Sequence, residues 1–469
     1  MEKEKTKKKF QFKNPSAYFT IMVLILIAVL ATWIVPAGHY DRVLDEATGK
    51  EMVNPESFQF IDDTPVGLFD AFVAIPKGIA NQVGVIAFIF IVSGSIEVVK
   101  HTGAIDAGLK KLIMLLKGRD LPLLIGVMFI FSLTGTLLGF AQQIIPFIAI
   151  GVTVATSLGY DRMVGFHIVR TSAWIGFAAS TINPYVITTA QQMAGLPQLS
   201  GLTYRIICYV VFMLIFGVFT IRYARKIKAD PTKSALYGCD SPMDSKLALG
   251  DDGIAEFNGR HGVVLLVFAA ALGLMVYGAM NFGWGSNQMG ALLLMAAIVC
   301  GLIGGMGPNL IASVFSKGMQ IVTGGAIIAG FTGAIAVILS QGQILDTIIY
   351  GLVSPLSHVS GVVTVIGIFL VYAVITFFIG SASGRAAATL PIFIPLGDIL
   401  GISRQTIVLA ASLGAGITNM FWPNMIYVIA FADIPYDRWV KHIWKLVVAL
   451  LVAGAVLVSI AYLTNYGPF

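Results

Sequence analysis

The chain has 469 residues, of which 57% are hydrophobic and only 12% are charged, and its mean hydropathy is +0.86. Soluble domains contain about 45–50% apolar residues, so this composition excludes an ordinary soluble protein. The formal net charge of +6 is concentrated in the N-terminal tail and a few loops, so it informs membrane topology and does not indicate a nucleic-acid partner. We expect a multi-pass protein of the cytoplasmic membrane.

Apolar blocks follow one another along the chain with the length of helices. Seven of them each hold about the number of residues that a bilayer crossing needs. They are Tyr18–Val35, Val83–Val98, Thr203–Thr220, Val263–Met280, Met289–Met306, Thr323–Ser340 and Leu446–Leu463. Strand-like alternation is absent, and the cysteines and histidines show no ligand spacing. We therefore predict an all-α membrane protein without a disulfide framework, metal site or cofactor.

The second half of the chain repeats the first. "TGTLLGFAQQIIPF" (134–147) aligns with "IGSASGRAAATLPIF" (379–393), and further matches occur on both sides in the same order. The matched pairs are Lys77 and Lys317, Asp106 and Asp346, Gly135 and Gly380, Gly139 and Gly384, Pro146 and Pro391, Gly159 and Gly401, and Arg162 and Arg404. Their common order indicates a duplication.

The positions of the basic loops distinguish between two possible membrane topologies. If 121–133 and 361–378 were full crossings, giving eleven in total, the loop "RYARKIKADPTK" would lie outside, against the positive-inside tendency. If both belong to re-entrant hairpins, nine crossings place every basic cluster in the cytoplasm, with the N-terminus inside and the C-terminus outside. The copies then start on opposite faces, and such inverted repeats are typical of secondary transporters.

The predicted parts follow from this topology. They are a cytoplasmic tail (1–17), a first repeat (18–221) with a hairpin at 121–160, a cytoplasmic linker (222–260), an extra span (263–280), and a second repeat (285–469) with a hairpin at 361–401.

Polar breaks interrupt the apolar helices at four places. Two are the hairpin turns, at 134–143 and 380–386, and two lie in the spans that follow, "FAASTINPY" (177–185) and "GITNMFWPN" (416–424). Broken backbone inside a bilayer must be buried or line a wet cavity. Its free carbonyls suit a sodium ion and its helix N-termini suit a carboxylate. Each break alone could be a packing site or a back-bonded helix, but their duplication favours a binding site.

The candidate site residues come from these breaks. For the substrate they are Gln142, Gln143, Ser180, Thr181, Asn183, Ser381, Ser383, Arg385, Thr418, Asn419 and Asn424. For a coupling ion they are Thr136, Gly139, Gly380, Ser381 and Gly384.

An arginine in the second hairpin is the most informative of them. An arginine at membrane depth is costly unless it faces a cavity or a partner, so Arg385 indicates a functional site. Beside Ser381 and Ser383, its planar guanidinium could hold a carboxylate at two points. The alternative is a fixed ion pair, for example with Glu97 or Asp398.

The first hairpin carries neutral amides at the corresponding position. Gln142 and Gln143 can donate and accept hydrogen bonds, so they suit a carboxylate or the ammonium of a zwitterion. His167 and Arg170, on the span after this hairpin, are interpreted as structural partners. Few acidic residues lie in the spans, which favours sodium on carbonyl oxygens over a carboxylate proton relay.

The sequence resembles a known family over roughly Pro15 to Lys445. "TWIVPAGHYDR", "ASTINPYVITTAQQMAGLP", "GSASGRAAATLPI", "RQTIVLAASLGAGITNMFWP" and "IPYDRWVK" look like the YfcC/DcuC-type C4-dicarboxylate and basic amino-acid carriers of the wider ion-transporter superfamily. The resemblance implies a homodimer with a scaffold and a mobile transport domain that works as an elevator. It also implies that the substrate binds between the hairpin tips and the unwound loops.

The chain departs from that family at the site. Ser-Asn-Thr motifs of the superfamily would fall on 136–138 and 381–383, and the first copy lacks the pattern. Family members often have two glutamates where Gln142 and Gln143 stand, and an aspartate where Ala415 stands. Arg385 occupies a position where a neutral amide is usual. These differences weaken the interpretation as a basic amino-acid carrier and favour an anionic or zwitterionic substrate.

The sequence pattern discriminates among a transporter, a channel and an enzyme. A secondary active transporter for a small carboxylate or amino acid, driven by sodium or protons or by exchange, fits best. Arginine/ornithine antiport is the alternative within this class. A channel would need a continuous hydrophilic pore or a ring of like charges, and an enzyme would need a nucleophile, metal or acid–base set; neither pattern is evident.

Overall fold

The computed structural model describes the chain from residue 17 to residue 467, with internal gaps. The described ranges are 17–45, 50–54, 56–115, 120–140, 142–183, 186–187, 189–197, 199–239, 241, 256–282, 284–359, 361–380, 382–422 and 425–467. Helices dominate these ranges.

The first half contains ten helices within the described residues. They are α1 (Ala17–Ile34), α2 (Leu68–Asn81), α3 (Val83–His101), α4 (Ala104–Leu115), α5 (Asp120–Leu138), α6 (Ile148–Ser157), α7 (Arg162–Phe166), α8 (Ser172–Ala178), α9 (Thr189–Met193) and α10 (Leu202–Ala229). A 3-10 segment at Gln142–Phe147 precedes α6, and a π-helical turn at His167–Thr171 joins α7 to α8.

The second half contains nine helices within the described residues. They are α11 (Gly259–Phe282), α12 (Ser286–Ile303), α13 (Pro308–Gln341), α14 (Leu345–Val353), α15 (Val362–Phe378), α16 (Ala382–Ile399), α17 (Arg404–Thr418), α18 (Ile426–Ala430) and α19 (Tyr436–Leu463).

Four short strands correct the all-α prediction. They are β1 (Gly38–His39), β2 (Arg42–Asp45), β3 (Lys50–Val53) and β4 (Gln59–Phe60), and they form two antiparallel pairs, β1 with β4 and β2 with β3. The connection between α1 and α2 therefore forms a small β-structure.

Helices extend into both ends of the segment that the sequence predicts as a linker. Helix α10 continues to Ala229, so residues 222–229 are helical, and α11 begins at Gly259. Residues 242–255 of this segment lie outside the described residues.

Six helices within the described ranges are long and apolar enough to cross a membrane. They are α3, α5, α10, α12, α13 and α19. This set includes α5, which the sequence suggests as the first arm of a hairpin. The length and composition of these helices indicate a multi-pass membrane protein.

The two copies contact each other reciprocally. Gly78 on α2 packs against Ala334 on α13, where an added Cβ would lie 2.4 Å from the Ala334 nitrogen. Gly318 on α13 packs against Gly94 on α3, where a Cβ would lie 2.8 Å from the Gly94 Cα. Because Gly318 corresponds to Gly78 and Ala334 to Gly94 at the same spacing, each contact is the image of the other. Such reciprocal contacts are typical of two copies related by an approximate two-fold axis.

Two matched arginines repeat this reciprocity. Arg162 of the first copy donates from Nη1 to the Ala432 carbonyl of the second at 3.1 Å. Arg404 of the second copy donates from Nη1 to the Ala194 carbonyl of the first at 3.0 Å. Arg404 also pairs with Asp398 at 2.8 Å.

The segment 121–160 doubles back on itself. Tyr160, just beyond α6, donates its hydroxyl to Asp120 Oδ2 at the start of α5 over 3.5 Å. Lys228, near the end of α10, also contacts this carboxylate. The base of the first hairpin therefore lies beside the C-terminal end of α10.

The segment 361–401 has its base at the opposite end of the bundle. Gly361 lies against the Tyr462 hydroxyl, and Ser403 donates to the Tyr466 carbonyl at 2.6 Å. Both tyrosines are near the C-terminal end of α19.

Helices α10 and α19 are antiparallel neighbours, which orients the two hairpins. Tyr204 near the start of α10 donates to the Leu457 carbonyl near the end of α19 at 2.6 Å. Tyr223 and His442, at the other ends of these helices, have ring centroids 4.4 Å apart. The C-terminal ends of α10 and α19 thus lie at opposite ends of this helix pair, and so do the bases of the segments 121–160 and 361–401.

The helices pack as two groups. Helices α1–α4 and α11–α13 pack mainly with one another and are called the frame group. Helices α5–α10 and α15–α19 form the hairpin group. The candidate site lies where the two groups meet.

Candidate functional site

Hydrogen bonds tie the first hairpin to the first unwound segment. Thr136 on α5 donates from Oγ1 to the Ala179 carbonyl at 3.0 Å and accepts from the Thr181 backbone N–H at 3.1 Å. Thr181 Oγ1 donates to the Thr136 carbonyl at 3.2 Å. These bonds hold the arm of the first hairpin against the first unwound segment.

The tip of this hairpin is closely packed. Gly139 has φ +69°, and a Cβ there would lie 2.3 Å from Asn183 Oδ1. Asn183 donates from Nδ2 to Ser180 Oγ at 3.1 Å, and Ser180 donates to the Phe177 carbonyl at 2.5 Å. Only glycine fits this left-handed, crowded position.

The second unwound segment is tied to the arm of the second hairpin. Helix α17 ends at Thr418, whose Oγ1 donates to the Ala373 carbonyl at 2.8 Å. Trp422 Nε1 donates to the same carbonyl at 2.8 Å. Asn419, between them, is 2% exposed. Each copy thus fastens its broken helix to its own hairpin.

The two broken helices also cross each other. Trp174 on α8 donates from Nε1 to the Gly416 carbonyl on α17 at 2.9 Å, and Gly416 packs directly on Ala178. This crossing brings both interruptions to one place, as a shared site requires.

A cavity of about 710 Å³ lies between the hairpin group and the frame group. The hairpin group contributes Gly139, Gln143, Trp174, Phe177, Thr376, Phe377, Phe378, Ile379, Gly380, Ala382, Asn419, Trp422 and Tyr427. The facing wall is Gln82, Gly285, Ser286, Ala329, Thr332, Gly333, Ile335, Ala336, Leu339 and Leu345. All of these residues are neutral, and this size suits a small organic molecule.

The predicted site residues differ in their position relative to the cavity. Gly139, Gln143, Gly380 and Asn419 line the cavity. Thr136, Ser180, Thr181, Asn183 and Thr418 are buried behind it in the hydrogen bonds described above. Gly384 lies within α16. Ser381 and Asn424, and the side chains of Gln142 and Ser383, lie outside the described part of the chain.

Arg385 lies just behind the second tip. It is 4% exposed, and its Nη1 donates at 2.7 Å to the carbonyl of Ile379, the residue that ends α15. Neither Glu97 nor Asp398 forms an ion pair with it among the described residues, and Asp398 instead pairs with Arg404. The guanidinium therefore caps a helix end beside the cavity.

Arg170 is the residue whose environment the sequence did not reveal. It lies in the π-helical turn, is 2% exposed, and places its guanidinium 4.4 Å from the Trp174 ring, which lines the cavity. Within the described residues, its Nε and Nη1 have no hydrogen-bond acceptor. Such π-turns are frequent at functional sites. A buried cation with free donors calls for an anionic partner.

His167 contacts a threonine of the same π-helical turn and a histidine of α19. Its Nδ1 lies 3.0 Å from Thr171 Oγ1 and its Nε2 lies 2.9 Å from His442 Nε2. These contacts join the π-turn to α19.

One family model and two related proteins match most of the chain. Residues 15–463 match the family described as "C4-dicarboxylate anaerobic carrier" (DcuC). The chain is 28% identical to the "Putative basic amino acid antiporter YfcC" of Escherichia coli (strain K12), covering 95% of this chain and 96% of that protein. It is 27% identical to an uncharacterized Haemophilus influenzae protein, covering 98% and 99%.

Two solved transporter structures align with most of the chain at low similarity. The YdaH transporter of Alcanivorax borkumensis aligns with a TM-score of 0.42 and 16% identity, covering 97% of this chain and 99% of that one. MtrF of Neisseria gonorrhoeae aligns with a TM-score of 0.41 and 17% identity, covering 96% and 95%.

Proposed function

The chain belongs to the C4-dicarboxylate anaerobic carrier family, and we propose that it is a secondary active transporter that moves a small carboxylate or amino acid across the cytoplasmic membrane. The observation that carries this proposal is the cavity shared by both hairpin tips, with the buried guanidinium of Arg170 behind its wall. A site built from matching parts of an inverted repeat is suited to alternating access.

The charge distribution favours an anionic or zwitterionic substrate. The described residues of the cavity wall include no carboxylate, while two buried arginines, Arg170 and Arg385, lie directly behind it. A substrate carboxylate would supply the anion that these cations lack, and the amides of Gln143 and Asn419 on the wall could orient its other polar groups.

The name of the E. coli relative suggests a basic amino acid instead. Such a substrate would bring a further positive charge to a site that already contains Arg170. Because the described wall offers no carboxylate to balance it, arginine/ornithine antiport is the second candidate.

The mechanism we propose is an elevator motion of the hairpin group against the frame group. It is supported by the position of the cavity at their boundary and by hairpins whose bases lie on opposite sides of the α10–α19 pair. In this proposal the hairpins are re-entrant, the frame group forms the homodimer contact, and sodium or protons couple transport.

A ligand screen tests the substrate class. The full chain, purified in detergent, is heated with a dicarboxylate, a monocarboxylate, a neutral amino acid, or arginine and ornithine, each with and without sodium. A compound that binds the native state raises the melting temperature. We expect a carboxylate to raise it in the wild type and in Arg170→Lys, and to lose most of its effect in Arg170→Gln.

The matched control is Lys77→Gln, which removes a positive charge from the exposed side of α2. The ligand-induced shift is compared within each variant, so a change in basal stability does not obscure it. Stabilisation by arginine or ornithine that persists in Arg170→Gln would overturn the anionic substrate.

Uptake into proteoliposomes tests whether the cavity is the transport site. Ala336 lines it from the frame group, so Ala336→Trp should block uptake of the stabilising ligand, whereas Ala312→Trp on the exposed side of the same helix should not. Equal uptake by both variants would place the transport pathway elsewhere.

A further inference from the structure

A second cavity lies away from the candidate substrate site, between two antiparallel helices. It has a volume of about 860 Å³ and is formed by the C-terminal half of α10, the N-terminal half of α19 and residues 233–235. We call it the α10–α19 groove.

One end of this groove is strongly basic. Six cations line it: Arg222, Lys226, Lys233, Arg438, Lys441 and Lys445. Within the described residues only two carboxylates form ion pairs with them. Asp230 pairs with Lys233 at 3.2 Å, and Asp437 lies 3.8 Å from Lys441 and 3.9 Å from Arg438.

Three of the cations form no ion pair with any carboxylate that the structure describes. They are Arg222 and Lys226 on α10 and Lys445 on α19, and all three are exposed. The basic end therefore carries an uncompensated positive charge that faces one groove from two helices.

The other end of the groove is apolar. It is lined by Leu214, Ile215, Val218, Phe219, Leu446 and Ala449. Leu214 and Val218 are largely exposed although α10 is long and apolar enough to cross a membrane, so they face the lipid. From Leu214 to Lys226 the helix rises about 18 Å, which is close to the thickness of one hydrocarbon leaflet plus a headgroup.

We propose that the α10–α19 groove binds an anionic phospholipid, with the headgroup phosphate on the basic end and an acyl chain along the apolar end. Charge complementarity supports the headgroup, and the lipid-facing apolar wall supports the chain. Basic pockets between membrane helices bind anionic lipid headgroups in this manner. A soluble phosphate would use only half of the groove.

A lipid titration tests the proposal on the full chain. Delipidated protein in detergent is titrated with phosphatidylglycerol or with phosphatidylcholine, followed by the melting temperature and by native mass spectrometry. We expect phosphatidylglycerol to raise the melting temperature and to remain bound, and phosphatidylcholine to do neither.

Charge-removing variants locate the effect. Arg222→Gln, Lys226→Gln and Lys445→Gln together should weaken phosphatidylglycerol binding about 100-fold, because each basic residue near an anionic lipid contributes strongly to the attraction. The control triple, Lys77→Gln, Lys111→Gln and Lys317→Gln, removes three exposed cations elsewhere and should leave binding unchanged. Lys226→Arg with Lys445→Arg should also preserve it.

Four results would overturn the proposal. Equal effects of the two lipids, or equal loss in both triples, would show that the groove is not a specific lipid site. A shift produced by inorganic phosphate or glycerol phosphate alone would show a free-anion site. Phosphatidylglycerol binding that appears only after Asp244→Asn, Asp251→Asn and Asp252→Asn would show that the chain's own acidic segment occupies the groove.

Discussion

The two copies of the repeat follow the same path but end in different hairpin tips. In the first copy, Gly139 is crowded by Asn183, and Thr136 is hydrogen-bonded to the unwound segment. In the second copy, a Cβ on Gly380 would have no atom of the described residues within 4 Å, and Gly380 lines the cavity. The two copies have the same order of elements, but the tip of the first hairpin is closely packed and the tip of the second is not. The room for a ligand therefore lies mainly at the second tip.

The copies differ again on the frame side of the cavity. The first copy breaks between α2 and α3 at Gln82, which lines the cavity, whereas the second forms the continuous α13. The matching positions also differ in sequence, since polar Asn81 and Gln82 correspond to apolar Ile321 and Val322.

Matched glycines provide the strongest test of this asymmetry. A Cβ on Gly135 would lie 1.8 Å from the Ala173 carbonyl oxygen, which is backbone and cannot move away without shifting α5 from α8. We expect Gly135→Ala to destabilise the protein by about 3 kcal/mol or more. Gly380→Ala, at the corresponding position, should be tolerated. Thermal unfolding of the two variants decides, and similar melting temperatures would mean that the tips are equivalent.

Matched aspartates outside the tips should also differ. Asp346 accepts from Arg42 Nη2 at 2.8 and 2.9 Å and from the Tyr40 backbone N–H at 3.0 Å, so it fixes the small β-structure to α14. Loss of this charge in Asp346→Asn should cost about 2–3 kcal/mol. The measurement is the melting temperature at neutral pH.

Removing the charge of Asp106, the matching residue on α4, should raise the melting temperature at neutral pH instead of lowering it. Burial raises the pKa of its carboxyl, with Lys100 acting against this shift. A carboxyl whose pKa is higher in the folded state loses stability as the pH rises from its unfolded pKa through its folded one. Asp106→Asn should therefore melt at the same temperature as the wild type near pH 4 and slightly higher at pH 7. A lower melting temperature at pH 7 would contradict this.

Two threonines on the arms of the two hairpins, which do not occupy matching positions of the repeat, sharpen the comparison. Thr136→Val removes the acceptor of the Thr181 N–H and the donor to the Ala179 carbonyl, and leaving these buried groups unpaired should cost about 1–3 kcal/mol. Among the described residues, Thr376 donates within its own helix, to the Tyr372 carbonyl at 2.7 Å. Thr376→Val should cost less than about 1 kcal/mol. If Thr136→Val and Thr376→Val have the same melting temperature, the hydrogen bonds of Thr136 do not stabilise the tip of the first hairpin.

The repeat and the breaks could be predicted from the sequence because they depend on local signals. Glycines, prolines and small polar residues interrupt long apolar runs, and the interruptions at Ala178 and Thr418 occur within the predicted segments. The strands at 38–60 could not be predicted, because strands of two to four residues are too short to show alternation.

The environment of each arginine could not be predicted for a different reason. The sequence offered Glu97 and Asp398 as partners of Arg385, and whether a carboxylate reaches an arginine depends on how distant helices pack. Arg385 instead bonds to Ile379, six residues before it in the same hairpin, and Arg170 is buried with donors that have no acceptor among the described residues. Local sequence patterns do not show whether a buried arginine has a hydrogen-bond acceptor.

Substitution of these two arginines should change stability in opposite directions, although by the smallest amounts. Arg385→Met removes the donor to the Ile379 carbonyl and should cost about 1 kcal/mol. Arg170→Met replaces a buried cation, whose Nε and Nη1 find no acceptor within the described residues, by an apolar side chain of similar length, which is often neutral or stabilising. We expect ligand-free Arg170→Met to melt at or slightly above the wild-type temperature while losing stabilisation by carboxylates. Evolution retains a destabilising charge where function needs it, so this combination would identify Arg170 as a ligand-binding residue, whereas a strong loss of ligand-free stability would show that it is structural.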